Sequence, residues 1–226
     1  NRFRITADYY YKKTTNLLNT VYLPTSSGYS STTQNIGSMS NKGVELLLEA
    51  DIIRTKDFGF TAQFNIAHNK NRVEKLAGGL DIWGTTYNNY GSGAITIIRE
   101  GEPMGAFYVY KDAGINETGQ LTYVDFNGDG KYTDTADRYI AGSPFPDFTY
   151  GLNCGFRYKD WDFSFFLQGS QGNKIFNLSE MRNYSYSQGM NIEKKVYYES
   201  WREGQDNSKA KYPKIEDVGP LKFSDR

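Results

Sequence analysis

The chain has 226 residues, with 26 basic side chains balancing 26 acidic ones, and a net charge of zero excludes a general electrostatic attraction to nucleic acid. Its single cysteine, Cys154, excludes an internal disulfide and reads as a small hydrophobe within a strand. Aromatics are abundant at 19 Tyr, 14 Phe and 3 Trp, yet no stretch approaches the roughly 18 consecutive apolar residues of a spanning helix.

A two-residue rhythm organises the sequence from its start. Residues 2–12 place Phe3, Ile5, Ala7, Tyr9 and Tyr11 on one face of a strand. A Ser/Thr/Asn/Gly-rich stretch, 13–41, reads as a loop. In the strand expected at 42–54, Val44, Leu46, Leu48, Ala50 and Ile52 oppose Glu45, Glu49 and Asp51. A tight turn at Thr55, Lys56 and Asp57 leads to a strand at 58–72, in which Phe58, Phe60, Ala62, Phe64 and Ile66 oppose Gly59, Thr61, Gln63 and Asn65. A long connection, 73–146, reads as a second loop. The strand expected at 147–158 sets Phe148, Tyr150, Leu152, Cys154, Phe156 and Tyr158 against Thr149, Gly151, Asn153, Gly155 and Arg157. After a turn at Lys159 and Asp160, a strand at 161–172 carries Trp161, Phe163, Phe165 and Leu167. A third loop, 173–226, holds one expected helix near Asn191–Glu203, with Asn191 as N-cap and Gly204 past its end.

Each alternating stretch is about as long as a bilayer-crossing strand, and the polar faces carry charge and amide suited to water. Apolar-out and polar-in is the outer-membrane barrel pattern. The fold class expected is therefore all-β, a segment of a large antiparallel transmembrane barrel. Long and tight connections alternate, so the turns at 55–57 and 159–160 are expected on the periplasmic side and the long loops outside the cell. The chain opens without a cationic, apolar leader and stops in a loop, and five strands fall short of the about eight that close a barrel. A piece of a larger barrel is expected.

One motif carries chemistry. In D-F-N-G-D-G-K-Y-T-D-T-A-D, Asp125–Asp137, oxygen ligands at positions 1, 3 and 5 followed by glycine suit a hard cation such as calcium. Asp125, Asn127 and Asp129 would offer side-chain oxygens and Lys131 its carbonyl. Position 12 is Ala136, so the closing ligand falls to an acid beside it, Asp134 or Asp137, with Asp137 preferred. The same residues also suit a hairpin in which Asn127-Gly128 or Asp129-Gly130 forms a primed turn.

Several stretches resemble the SusC/RagA branch of TonB-dependent outer-membrane transporters. They are N-I-G-S-M-S-N-K-G-V-E-L from Asn35, G-E-P-M-G-A-F-Y-V-Y from Gly101, D-F-N-G-D-G-K from Asp125, I-A-G-S-P-F-P-D-F-T-Y-G-L from Ile140 and Y-K-D-W-D-F-S-F-F-L-Q-G-S-Q-G-N-K-I-F-N from Tyr158. The resemblance covers nearly the whole chain in the family's order and implies the later part of a barrel of about 22 strands. It also implies a plug domain, TonB as energy source, a SusD-like surface lipoprotein, contact with outer-membrane lipid, and import of oligosaccharides or peptides. In the long connection Trp83, Tyr87, Asn88, Asn89 and Tyr90 form the most ligand-like cluster. Packing of the loop against itself or a lid is the competing reading, and the favoured one.

Enzymatic readings find little support. His68 is the sole histidine, and Glu45 and Glu49 lie about 13 Å apart along a strand, too far for either glycosidase geometry. Two alternatives to a transporter segment stand: a soluble, calcium-stabilised, glycan-binding β-sandwich, and a secreted β-rich glycosidase. A sandwich would bury the Phe58 and Phe148 faces against each other.

Overall fold

A computed structural model describes residues 2–22, 31–84, 93–132, 136–179 and 191–215. Its strands are β1 Phe3–Tyr22, β2 Ser31–Arg54, β3 Phe58–Leu76, β4 Ile82–Trp83, β5 Thr96–Ile98 and β6 Ala106–Tyr110. They continue with β7 Asp112–Ile115, β8 Leu121–Tyr123, β9 Arg138–Gly142, β10 Phe148–Tyr158 and β11 Trp161–Gln171. A short α-helix, α1, spans Lys194–Glu199. The chain divides into two compact units, one of Asn1–Asp81, Ile98–Met104 and Ser143–Lys174, the other of Ile82–Ile97, Gly105–Gly142 and Ile175–Arg226.

The first unit is a five-stranded antiparallel sheet in the order β1-β2-β3-β10-β11. Residues directly opposite in neighbouring strands share a face, so the register sorts side chains without ambiguity. Phe3 faces Ala50, which faces Ala62, then Cys154 and Phe165; Ile5, Leu48, Phe64, Leu152 and Leu167 make the next row. The apolar side runs on through Tyr150 and Ile66 to Phe148 and His68. On the other side Arg4 lies opposite Glu49, Glu49 opposite Gln63 and Gln63 opposite Asn153. Arg4 donates to Glu49 at 3.2 Å, as does Gln63 at 3.5 Å.

Aromatic side chains tile the apolar face. Phe60 stacks on Phe156 with centroids 4.5 Å apart and planes 8° apart, and Phe163 and Phe165 each sit about 6.2 Å from Phe156. This face nonetheless stays open: Phe3 and Ile5 are each 70% exposed and Trp161 79%. The sandwich expectation fails here. Phe58 pairs laterally with Tyr158, and Phe148 with His68, as neighbours in one sheet rather than facing layers.

Several strand boundaries and one phase depart from the sequence reading. The loop expected at 13–41 is strand on both sides of its tip, since β1 reaches Tyr22 and β2 starts at Ser31; residues 23–30 lie outside the described residues. Here the ladder runs through polar pairs such as Lys12 with Asn41 and Lys13 with Ser40, so no apolar alternation announces the strand. Register shifts between Thr14 and Leu18, with Asn16 at φ 58°, absorb the extra residues. A second bulge between Asp51 and Ile53 changes the phase of β2, so Ile53 rather than Ile52 lies opposite Phe60.

The second unit occupies most of the stretch expected as a loop at 73–146. β4-β5-β6-β9 form one small sheet and β7-β8 a hairpin. Ile95 and Val109 are its buried centre, joined by Phe107, Tyr139, Ala141, Phe176 and Leu178. Short strands buried on both sides, as Ala106, Tyr108, Val109 and Tyr110 are, give no two-residue rhythm to detect. The helix is also shorter than expected: its N-cap position is Glu193, not Asn191, and it ends at Glu199, with Ser200 already extended, well before Gly204. The cause is tertiary. Lys211 and Tyr212 donate their N–H groups to the Glu199 carbonyl, and Ser200 pairs with Tyr212.

Gly37 shows how closely the long ladder is built. It has φ 143°, and a Cβ there would meet the Lys75 carbonyl oxygen and the Leu76 Cα, backbone atoms that cannot swing aside. Gly37→Ala should destabilise the folded protein by about 1–3 kcal/mol, read as a lower denaturant midpoint; an unchanged midpoint would refute the close approach.

Candidate functional site

Three groups of residues bear on function, and the acidic loop is the most chemically defined. It joins β8 to β9. The β7-β8 pairing is extended by the Val124 N–H, which donates to the Lys111 carbonyl at 2.9 Å, and Asp137 immediately precedes β9 with no exposed surface. Between these fixed ends Asp125 accepts the N–H groups of Gly128 at 2.7 Å and Gly130 at 2.8 Å. Asn127 accepts from the Asp129 N–H at 3.1 Å, and Asp129 from the Lys131 N–H at 2.7 Å. The Asp137 carboxylate accepts the Phe126 N–H at 3.0 Å, closing the loop on itself.

The result brings three carboxylates together. Asp125, Asp129 and Asp137 each present an oxygen, all within 4.8 Å of one another. That is a donor set of hard oxygens compatible with a divalent cation. The Asn127 amide turns inward on the loop, its Nδ2 donating to Asp129 at 3.1 Å, and Asp134 lies outside the described residues. A type I′ turn requires positive φ at both central residues; Gly128 and Gly130 have φ 74° and 72°, but Asn127 and Asp129 do not. The N–H of Gly130, foremost, and those of Gly128, Asp129 and Asn127 hold the Asp125 carboxyl below the ordinary aspartate range.

Trp83, from the cluster singled out in the sequence, packs with its ring 5.6 Å from Tyr108. The Arg138 guanidinium lies 5.9 Å from the Trp83 ring and 4.9 Å from that of Tyr110. Arg138 is buried and donates to the carbonyls of Ala94 and Tyr108. Sequence reasoning missed this arginine, because nothing in the local pattern distinguishes it from a solvated charge. Tyr87, Asn88, Asn89 and Tyr90 lie outside the described residues. His68 is half-buried in β3, with Nδ1 2.6 Å from the Asp147 carbonyl oxygen and its ring against Phe148.

The polar face of the five-stranded sheet is the third group. Near the tight turns, Asp51, Arg54, Thr61, Arg157, Asp162 and Ser164 line an open trough of about 510 Å³, to which Ile53, Phe156 and Phe163 also contribute. Further along, Asn69 and Asn71 both donate to Asn41, at 3.1 and 2.9 Å, while Asn71 accepts the Met104 N–H at 2.8 Å. One face of a single layer thus offers charge, hydroxyl and amide to water, and the other offers hydrocarbon and aromatic rings.

No family model matches the chain. It is 37% identical over 194 residues to TonB-dependent receptor P3 of Formosa agariphila, covering 78% of this chain and 19% of that protein. It is 36% identical over 191 residues to TonB-dependent receptor SusC of Bacteroides thetaiotaomicron, covering 80% of this chain and 19% of the relative. The chain spans about a fifth of the length of the curated relatives it matches. Among solved structures, that of the RagAB peptide transporter superposes with a TM-score of 0.77 at 28% identity, over 98% of this chain and 25% of the neighbour. The RagAB peptide importer in its "open-open" state gives 0.75 at 27% identity, over 97% and 24%. An antiparallel sheet of one layer, greasy on one side and hydrophilic on the other, is what a barrel wall in the outer membrane requires, and with these relatives it identifies the chain as a β-barrel segment of a SusC/RagA-type TonB-dependent outer-membrane receptor.

Proposed function

We propose that the segment is part of the wall of an importer that takes up oligosaccharides or peptides with a SusD-like surface lipoprotein and draws energy from TonB through a plug. The observation that carries this reading is the division of one sheet into an open apolar face and a charged, amide-rich face. Such a wall separates lipid from an aqueous lumen. The naming of the RagAB neighbour as a peptide transporter supports a solute of that class, and the SusC and RagAB relatives support a paired surface lipoprotein. The tight connections after Arg54 and Tyr158 fall at one end of the sheet and the long ones at the other, which supports a periplasmic placement of the former.

A second reading concerns calcium. The convergence of Asp125, Asp129 and Asp137 supports a cation held at about 2.3–2.6 Å by their oxygens, with Asn127 and the Lys131 carbonyl as further donors after a small rearrangement. The ion would neutralise three clustered charges and fix the loop between β8 and β9.

Three measurements on the full-length receptor test these readings. Spin labels at Leu48, Phe64 and Phe156 should be relaxed by a lipid-soluble agent, whereas labels at Glu49 and Gln63 should respond to a water-soluble one; equal responses would reject a lipid-facing wall. Terbium luminescence competed by calcium should report the loop, and Asp125→Asn or Asp129→Asn should weaken binding at least about tenfold. Because the Asp125 pKa is lowered on folding, its contribution to loop order is complete above the ordinary aspartate range and is lost as pH falls through the lowered value. Proteolytic protection of the loop should therefore persist at neutral pH and disappear on strong acidification; calcium binding that survives both substitutions would count against the site.

A further inference from the structure

The apolar face ends abruptly toward the long connections, and the next rows on the same side are basic. Residues two apart along a strand share a face, so Lys42 and Lys70 continue the side of Val44 and His68. Those two lysines are directly opposite one another, and Tyr11 is opposite Lys42. In the adjoining row Lys13 lies opposite Ser40, and Ser40 opposite Arg72. All four cations are exposed and none forms an ion pair among the described residues. Ser40 is buried beneath them and donates its hydroxyl to the Glu74 carboxylate. Tyr11, Ser40, Lys42, Lys70, Arg72 and Glu74 line a small notch of about 100 Å³.

The opposite side of the sheet at this level differs. It carries the hydrogen-bonded amides Asn41, Asn69 and Asn71, with Lys12 as the cation of that row. Positive charge is therefore concentrated on the side continuous with the apolar band, just past its edge. That band runs from Tyr158 and Phe58 to Phe148 and His68, the 11-residue length of β10, which matches the 9–11 tilted residues that cross hydrocarbon. A cation one step beyond it reaches the depth of lipid head groups, with its methylene stem against acyl chains.

We infer that Lys13, Lys42, Lys70 and Arg72 form a site for the phosphate of a lipid head group in the outward-facing leaflet. This rests on the lipid-facing reading of the wall. Charge complementarity and continuity with the apolar face select a lipid over a soluble anion, since a free phosphate gains nothing from the adjoining hydrocarbon. The planar Arg72 fork and two ammonium groups around one notch provide convergent donors for phosphate oxygens, and Tyr11 supplies the amphipathic ring typical of that depth.

The test uses the detergent-solubilised full-length receptor and phosphatidylglycerol as probe, with retained lipid counted by native mass spectrometry. K42Q/K70Q/R72Q should weaken retention by about a hundredfold, roughly fivefold per cation, while K42R/K70R should keep it and K12Q, at the same level on the other side, should leave it unchanged. Excess inorganic phosphate should fail to displace the lipid. Retention unchanged in the triple variant, equal loss in K12Q, or displacement by free phosphate would each overturn the proposal. A spin label at Leu48 separates the two levels: if it is shielded from the lipid-soluble agent the wall assignment itself falls, and if it is relaxed while the triple variant retains lipid, only the phosphate site falls.

Discussion

Backbone pairing in a medium without water is the constraint on which this structure depends. An unpaired N–H or C=O in hydrocarbon costs several kcal/mol, so a wall one layer thick must satisfy every such group sideways, strand to strand. The unbroken register of β3, β10 and β11 does this through the apolar band, residue for residue from Phe58 with Tyr158 to Phe148 with Gln171. Irregularities are kept to β1, β2 and the far end of β3. The outer flanks of β1 and β11 are the two edges of the sheet, and in lipid they need further strands of the barrel.

Once pairing is sideways, side chains are free to answer to two media. The period of two then sorts them, and packing energy comes from lateral contacts within the face rather than from a buried core. Phe60 on Phe156 and the Tyr150 ring lying over Gly169 are such contacts. Cys154 fits the same scheme, buried between Ala62 and Phe165 as a small apolar unit of its row. Where the apolar series stops, lysine and arginine take over on the same side.

The second unit obeys different rules. Its strands are too short to hold themselves, and Arg138 contributes where a sheet of this size lacks mass. A buried guanidinium against Tyr110 and Trp83, bonded to the Ala94 and Tyr108 carbonyls, links β4, β6 and the segment before β5. Asp137, its neighbour in sequence, turns to the acidic loop instead and anchors Phe126. Two adjacent buried charges thus serve the core and the loop.

The sequence alone determined the alternating faces of the five long strands within the apolar band as far as the bulge at Asp51, the tight turns and the antiparallel pairing across them, because a period of two is local and survives without knowledge of partners. It also singled out Asp125, Asn127 and Asp129, since glycine after the third oxygen is a local signature, and Asp137 as the acid nearest the missing twelfth position. Only the tertiary structure decided the rest. That 14–22 and 31–41 are strands results from mutual pairing in which consecutive Leu17 and Leu18 meet Gly37 and Asn35, so no two-residue apolar alternation marks it; that Ile53 replaces Ile52 on the apolar face results from a bulge set by the partner strand. The fate of Trp83 and Arg138 depended on residues distant in the chain. Helix α1 was cut short by the N–H groups of Lys211 and Tyr212, and Lys42, Lys70 and Arg72 became one cluster only when β2 and β3 were placed in register. Local periodicity is written in the chain, whereas cross-strand register is a property of two segments at once.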